Sequence, residues 1–444
     1  MKRLSALCLC LALLLGLLPF PVRGEAVSPR LVICSTTDLH GKCWDTQVMT
    51  GRPEHNNLLR ISSAVAELRE TYGTEQVLLV DNGDLYQGDP TSGYPLSLLE
   101  NGETDLPPAM AVGLGYLGYT AAGLGNHEFN FSWEVMDQAR AYLADRGVPS
   151  VCANLYYDGS DGIHPAGTPV LTPWIIREVP LGDRTVRVGL LGLNNTDCAK
   201  WDDPVRYPGM TFVHPDNVEA SIVWEAEHWL PDLADCDLVA VFYHGGLGTA
   251  EGPLVYGENT ENQALRLVTQ TTGIDLLIAG HDHFRRYSNQ TFENREGQPV
   301  PVVNGGGTSL TKTVFVLTEG PDGPTLTLES SENLEPKDYP VDPELEQLLA
   351  PYAALAAEYM NKQQYQPAAE ERTDWSGAYL LGSASGVIFD PASQTPVDGT
   401  RFLDRLRGNP RITAEGNFTG CGVQLIRSDL DAYLSGQTTS QATV

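Results

Sequence analysis

Five times between residues 31 and 283 a short apolar run gives way to a loop that carries histidine, aspartate or asparagine. The runs are 31–33, 77–80, 120–124, 238–243 and 274–279. The loops after them hold Asp38 and His40, then Asp84, then Asn126 and His127, then His244, and last His281 with His283. Stretches with helical periodicity lie between the runs, as in Leu58, Ile61, Val65, Leu68 and Tyr72, spaced three or four apart. Others fall near 132–145, 216–229 and 261–271, and further strands are expected at 186–193, 300–303 and 313–317. Strands interleaved with helices predict an α/β fold. In such sheets ligands bind outside the carboxyl ends of the strands, so five segments far apart in sequence are expected to meet at one site.

The chemistry of that donor set narrows what it can do. Asp38, His40, Asp84, Asn126, His244, His281 and His283 are oxygen and imidazole donors without a thiolate among them. They suit divalent cations of borderline or hard character, Mn, Zn, Fe or Mg. If Asp84 bridges, each of two cations receives four protein ligands, which is the two-metal arrangement for displacement at phosphorus. Any one of these motifs alone could be a turn or a helix cap. The functional reading comes from their order and their repeated position after a strand.

Charge excludes one class of partner. The chain holds 28 Lys and Arg against 57 Asp and Glu, a formal net charge of −29, with no basic run. A nucleic-acid polymer would need a positive surface, so the expected substrate is a small phosphorylated molecule held through metal. At the start, Lys2 and Arg3 precede an apolar run from Leu4 to Phe20, and Gly24, Glu25 and Ala26 form a small-x-small pattern. Residues 1–26 read as a secretory signal, which predicts a secreted, periplasmic or cell-surface protein with no membrane span once the signal is removed. Cys34, Cys43, Cys152, Cys198, Cys236 and Cys421 lie beyond it, without the spacing of a disulfide framework or a thiolate zinc site. Residues 27–335 read as the metal-binding domain, 336–365 as a linker helix with Leu345, Leu348, Leu349, Tyr352, Leu355 and Tyr359 on its apolar positions, and 366–444 as an extension of unassigned role.

The strings Thr37-Asp38-Leu39-His40-Gly41, Asp81-Asn82-Gly83-Asp84, Gly125-Asn126-His127-Glu128, His244-Gly245-Gly246 and Gly280-His281-Asp282-His283 together resemble the calcineurin-like metallophosphoesterases. Within them the match is to the secreted 5′-nucleotidase and 2′,3′-cyclic-nucleotide 2′-phosphodiesterase group. Asp81 to Gly88 with Pro90, and Gly125 to Asn130, are more similar to the cyclic-nucleotide and 3′-nucleotidase branch. The resemblance implies a four-layer α-β-β-α sandwich over roughly residues 30 to 330. It implies Asp38, His40, Asp84 and His283 on one metal, Asp84, Asn126, His244 and His281 on the other, and a catalytic His127 beside Asn126. Two features depart from the wider group. Asn130 stands where 5′-nucleotidases pair an Asp with the catalytic histidine, and the region after the linker helix is short for the nucleotide-binding domain that members carry. The expected function is hydrolysis of small nucleotides, 2′,3′-cyclic nucleotides first. The alternatives are a phosphatase for another phosphorylated metabolite or sugar nucleotide, or a non-catalytic surface binder stabilised by metal.

Overall fold

The computed structural model describes residues 28–47, 51, 53–320 and 323–362, with the backbone of short strand segments between 379 and 425. The expected signal at 1–26 and most of the C-terminal extension lie outside the described residues. The first half of the domain runs β1 (Arg30–Thr36), α1 (Leu58–Tyr72), β2 (Val77–Asp81), α2 (Pro90–Glu100), α3 (Ala109–Leu117), β3 (Ala121–Ala122), α4 (Trp133–Ala144) and β4 (Tyr156–Tyr157). There follow β5 (Trp174–Leu181), β6 (Arg184–Asn194), β7 (Met210–Thr211), α5 (Ile222–Trp229), β8 (Leu238–His244), α6 (Ala264–Gln270) and β9 (Leu276–Ala279). The order continues with β10 (Gln290–Glu293), β11 (Pro299–Val303), β12 (Leu310–Gly320), β13 (Gly323–Leu334) and α7 (Pro343–Lys362).

Two mixed sheets form, in the orders β13-β12-β1-β2-β3 and β10-β11-β9-β8-β6-β5. Strands β1, β2 and β3 run parallel to one another, as do β6, β8, β9 and β11. Antiparallel strands close each sheet, with β12 and β13 beside β1, β5 beside β6, and β10 beside β11.

The alternation of side chains along a strand explains the layering. On β1 and β2, Val32, Cys34, Val77 and Leu79 face helices α1, α2, α3, α4 and α7, while Leu31, Ile33, Leu78 and Val80 face the other sheet. On β8 and β9, Leu238, Ala240, Phe242, Leu276 and Ile278 meet them from the opposite side. The outward residues Val239, Val241, Tyr243, Leu277 and Ala279 pack under α5 and α6. Both sheets are therefore apolar on both faces, and the expected α-β-β-α sandwich is what these strands make.

Local chemistry fixes the ends of the helices. Asn57 caps α1 by accepting the Arg60 N–H at 3.1 Å, and Gly73 closes it. The helix expected from residue 216 starts only at Ile222, because Ala220 lies in the left-handed region and the Ser221 hydroxyl caps the Trp224 N–H. At α7, Asp342 accepts the N–H groups of Glu344 and Leu345 and a hydroxyl from Ser62. Leu345, Leu349 and Tyr352 of α7 are buried in the same core as α1 and α3, so this helix packs onto the domain. Cys34, Cys43, Cys152, Cys198 and Cys236 carry free thiols, and Cys421 lies outside the described residues. No helix among the described residues is long and apolar enough to cross a membrane.

Candidate metal centre

The carboxyl ends of the parallel strands from both sheets come together, and the donors expected from sequence arrive with them. Asp38, His40 and His283 form one group whose ligand atoms all lie within 4.8 Å of one another, and Asp84, His244 and His281 form a second. Each group mixes residues from the two sheets.

The loops that carry these side chains are tied to one another by backbone. Asp38 N–H donates to Gly83 O at 3.0 Å, His40 N–H to Asp84 O at 3.0 Å, and Gly41 N–H to Leu85 O at 2.8 Å, so the pairing of β1 with β2 continues into the loops. At Gly83 a Cβ would run into the Gly125 backbone, and at Gly280 it would run into the Thr37 hydroxyl. Larger residues would push the loops apart. Seven described non-glycine residues have φ in the left-handed region, and five of them are Asp38, His40, Asp84, His281 and His283. Such backbone is held against its own preference, and its concentration on the donors marks a functional site.

Three of the four donor histidines, His40, His244 and His281, are aimed by one ring nitrogen, which leaves the other for the site. His244 Nδ1 lies 2.7 Å from Asn82 O and His40 Nδ1 2.8 Å from Gln87 O, so both donate there and present Nε2 inward. His281 uses Nε2 on Glu261 at 2.6 Å, which leaves Nδ1 unengaged. The carboxylates are aimed in the same way. Asp38 accepts the His281 N–H at 3.0 Å and the Thr37 hydroxyl at 2.6 Å, and Asp84 accepts the His127 N–H at 2.8 Å. Asp84 Oδ2 stands 3.1 Å from His244 Nε2 and 4.0 Å from Nε2 of both His40 and His127.

The donor set fits metal. Asn126 Oδ1 is buried without a hydrogen-bond partner, an arrangement that ordinary packing avoids, and His244 Nε2, fully buried, has the Asp84 carboxylate 3.1 Å away. Burial works against charge on His244, yet Asp84 and Asp38 raise its pKa to about 10, so in the absence of metal a proton there balances the buried carboxylates. Burial alone would raise Asp38 and Asp84, but His283 and His244 hold Asp38, and His244 with His127 and His40 holds Asp84, below the ordinary carboxylate range. A divalent cation would replace that proton.

His127 sits on the turn after Asn126, and the turn is pinned by Phe129, whose ring meets Phe212 at 4.7 Å and Tyr207 at 5.8 Å. Tyr86 packs into the helical core, while Gln87 contributes its carbonyl to His40. His55, His164, His214 and His228 make other contacts and join neither group.

Three carboxylates at the site escape a reading for metal ligands. Glu128 is fully buried and accepts N–H bonds from Asp84 at 2.9 Å, Leu85 at 2.7 Å and Gly125 at 2.6 Å, holding two donor loops together. Glu261 orients His281, and Asp202 reaches His127 through Asn130. Only Glu128 has a sequence signal, its place next to His127.

Asp81, at the end of β2, supplies a pH test. Burial pushes its carboxyl up to about 8, with Glu128 and Asp38 adding to the rise and bonds from the Thr36 hydroxyl and Gly83 N–H opposing it. The unfolded group titrates near pH 4, so between about pH 4 and about pH 8 the folded state binds the extra proton and stability falls as pH rises. Asp81→Asn removes this slope. In chelator-treated protein, urea midpoints of the unsubstituted chain should fall relative to the variant across that window, and parallel curves would refute a buried neutral Asp81.

The layering is that of the calcineurin-like phosphoesterase fold. The crystal structure of the calcineurin-like phosphoesterase YfkN from Bacillus subtilis superposes with a TM-score of 0.61 at 24% identity, over 75% of this chain and 99% of that one. In sequence the chain is similar to the 2′,3′-cyclic-nucleotide 2′-phosphodiesterase/3′-nucleotidase of Yersinia enterocolitica, 30% identical over 269 residues, 59% of this chain and 37% of the relative. It is also similar to the 5′-nucleotidase of Vibrio cholerae, 26% identical over 258 residues, 57% of this chain and 40% of the relative. The chain thus spans well under half the length of these curated relatives. No protein-family model matches it.

Proposed function

We propose that the chain is a two-metal phosphoesterase acting on small nucleotides, with 2′,3′-cyclic nucleotides and the 3′-nucleotides they yield as favoured substrates. The observation that carries this reading is the convergence of two donor groups around Asp84, with His127 beside them. Asp38, His40, Asp84 and His283 would hold one cation and Asp84, Asn126, His244 and His281 the other. Such a pair supplies charge stabilisation at phosphorus and an activated water. The relative from Yersinia supports the cyclic-nucleotide preference, and the negative charge of the chain leaves a polymer substrate without an attractive surface. The segment 1–26 would direct export.

The chain's own residues supply orientation and protons. Asp84 fixes the turn at His127 through the backbone N–H, and Glu128 holds that turn against the Asp84 loop. His127 is partly exposed and places Nε2 toward the site, where it can donate to the phosphoryl group or to the departing alkoxide. In protein supplied with Mn²⁺, 2′,3′-cyclic AMP should be opened and phosphate released. His127→Ala should lower kcat by about a hundredfold or more with metal content unchanged. Metal-loaded protein that turns over 5′-nucleotides but not the cyclic diester would transfer the assignment to a 5′-nucleotidase. Loss of both would leave a phosphatase for another phosphorylated metabolite or a metal-stabilised binder.

A further inference from the structure

His127 Nδ1 lies 2.7 Å from Asn130 Oδ1, and Asn130 Nδ2 donates to Asp202 Oδ1 at 2.8 Å. We propose that Asp202 is a positioning residue that sets the tautomer of His127 through Asn130, holding one proton on Nδ1 so that Nε2 is the nitrogen that takes up a proton and gives it back at the substrate. The inference rests on His127 facing the substrate, as in the function proposed above.

An ionised carboxylate only accepts hydrogen bonds, so the Asn130 amide must turn its NH₂ toward Asp202. Its oxygen then faces the imidazole, and because that oxygen also only accepts, His127 must carry a proton on Nδ1. The nitrogen left for exchange is Nε2, which points to Asp84 Oδ2 at 4.0 Å. Asp202 is built in for this contact. The Tyr207 hydroxyl donates to its backbone oxygen at 3.2 Å, and Arg206 beside it is tied to Glu100 at 2.5 Å. Its second oxygen, Oδ2, is buried with no hydrogen-bond partner. Without the carboxylate the amide can turn over, offer NH₂ to the ring, and favour the tautomer protonated on Nε2.

The test exchanges the two side chains. Asp202→Asn leaves two amides that can pair either way round, and kcat should fall by about tenfold while KM and bound metal stay unchanged. Asn130→Asp alone sets two carboxylates against each other and should also fall. The double variant Asn130→Asp/Asp202→Asn returns an acceptor to the imidazole and should recover to within about threefold of the starting kcat. An independent readout is the ¹⁵N imidazole spectrum of the Zn²⁺-loaded protein, with the His127 signals identified by their loss in His127→Gln. The unsubstituted chain should show Nδ1–H and Asp202→Asn a mixture of tautomers. An unchanged tautomer in Asp202→Asn, or a double variant no better than the single ones, would overturn the coupling. Tautomer mixing in a protein that hydrolyses no nucleotide would instead keep the coupling and remove the proposed function.

Discussion

Asp84→Asn is expected to leave a folded protein whose phosphoester turnover is reduced on the order of a thousandfold or more. Asp84 is buried, its Oδ1 accepts the His127 N–H, and its Oδ2 is the point on which Nε2 of His244, His40 and His127 converge. An amide can keep the first bond. It replaces the second oxygen with a donor and removes the negative charge that both proposed cations would share. In metal-free protein the change should cost some stability, because the neighbouring His244 more than offsets the burial that opposes the Asp84 charge. Elemental analysis should show fewer metal ions per chain, and added metal should no longer raise the melting temperature as it does for the unsubstituted protein. Full turnover or full metal content in the variant would remove Asp84 from the bridging position.

The second large effect falls on a residue expected to touch neither metal nor substrate. Glu128→Ala should destabilise the protein by about 3–5 kcal/mol, because the backbone N–H groups of Asp84, Leu85 and Gly125 lose their acceptor inside the protein. Glu128→Gln is the sharper probe. The amide oxygen can serve Asp84 and Gly125, but its NH₂ would then meet the Leu85 N–H donor to donor. About 2 kcal/mol of destabilisation is expected from this nearly isosteric change. Urea unfolding of both variants gives the result. A Gln variant as stable as the parent would mean that Glu128 is held as a neutral acid, the form that its burial and the Asp84 charge favour.

All seven donors proposed as ligands were legible in the sequence because each follows an apolar run and each is a residue type with ligand chemistry. The central strands were legible for the same reason, since β1, β2, β8 and β9 are apolar on both faces and stand out as continuous runs. Helices α2 and α3 were not. The first contains Gly93 and Pro95, and the second is buried at nearly every position, so neither shows an amphipathic stripe. Strand β3 proved shorter than its apolar run, with Ala121 and Ala122 alone pairing to β2. Strands β5 and β13, at sheet edges, carry mixed exposed and buried residues and were missed. Glu128 and Asp202 were missed as site residues for a different reason. Their contributions depend on which backbone groups and amides they meet, and Asp202 lies 72 residues from the Asn130 it orients.

Each donor group draws on both sheets, and the first sheet is finished only when β12 and then β13 are added on the β1 side. A chain emerging from the ribosome has made Asp38, His40 and Asp84 long before His281 and His283, and β12 later still. Neither donor group is complete before His281 and His283 are made, so a segment such as 28–157 would hold no complete set of donors. Any metal these groups take would then be bound only after loops far apart in sequence have met, and the compartment in which they meet would decide which ions are on offer.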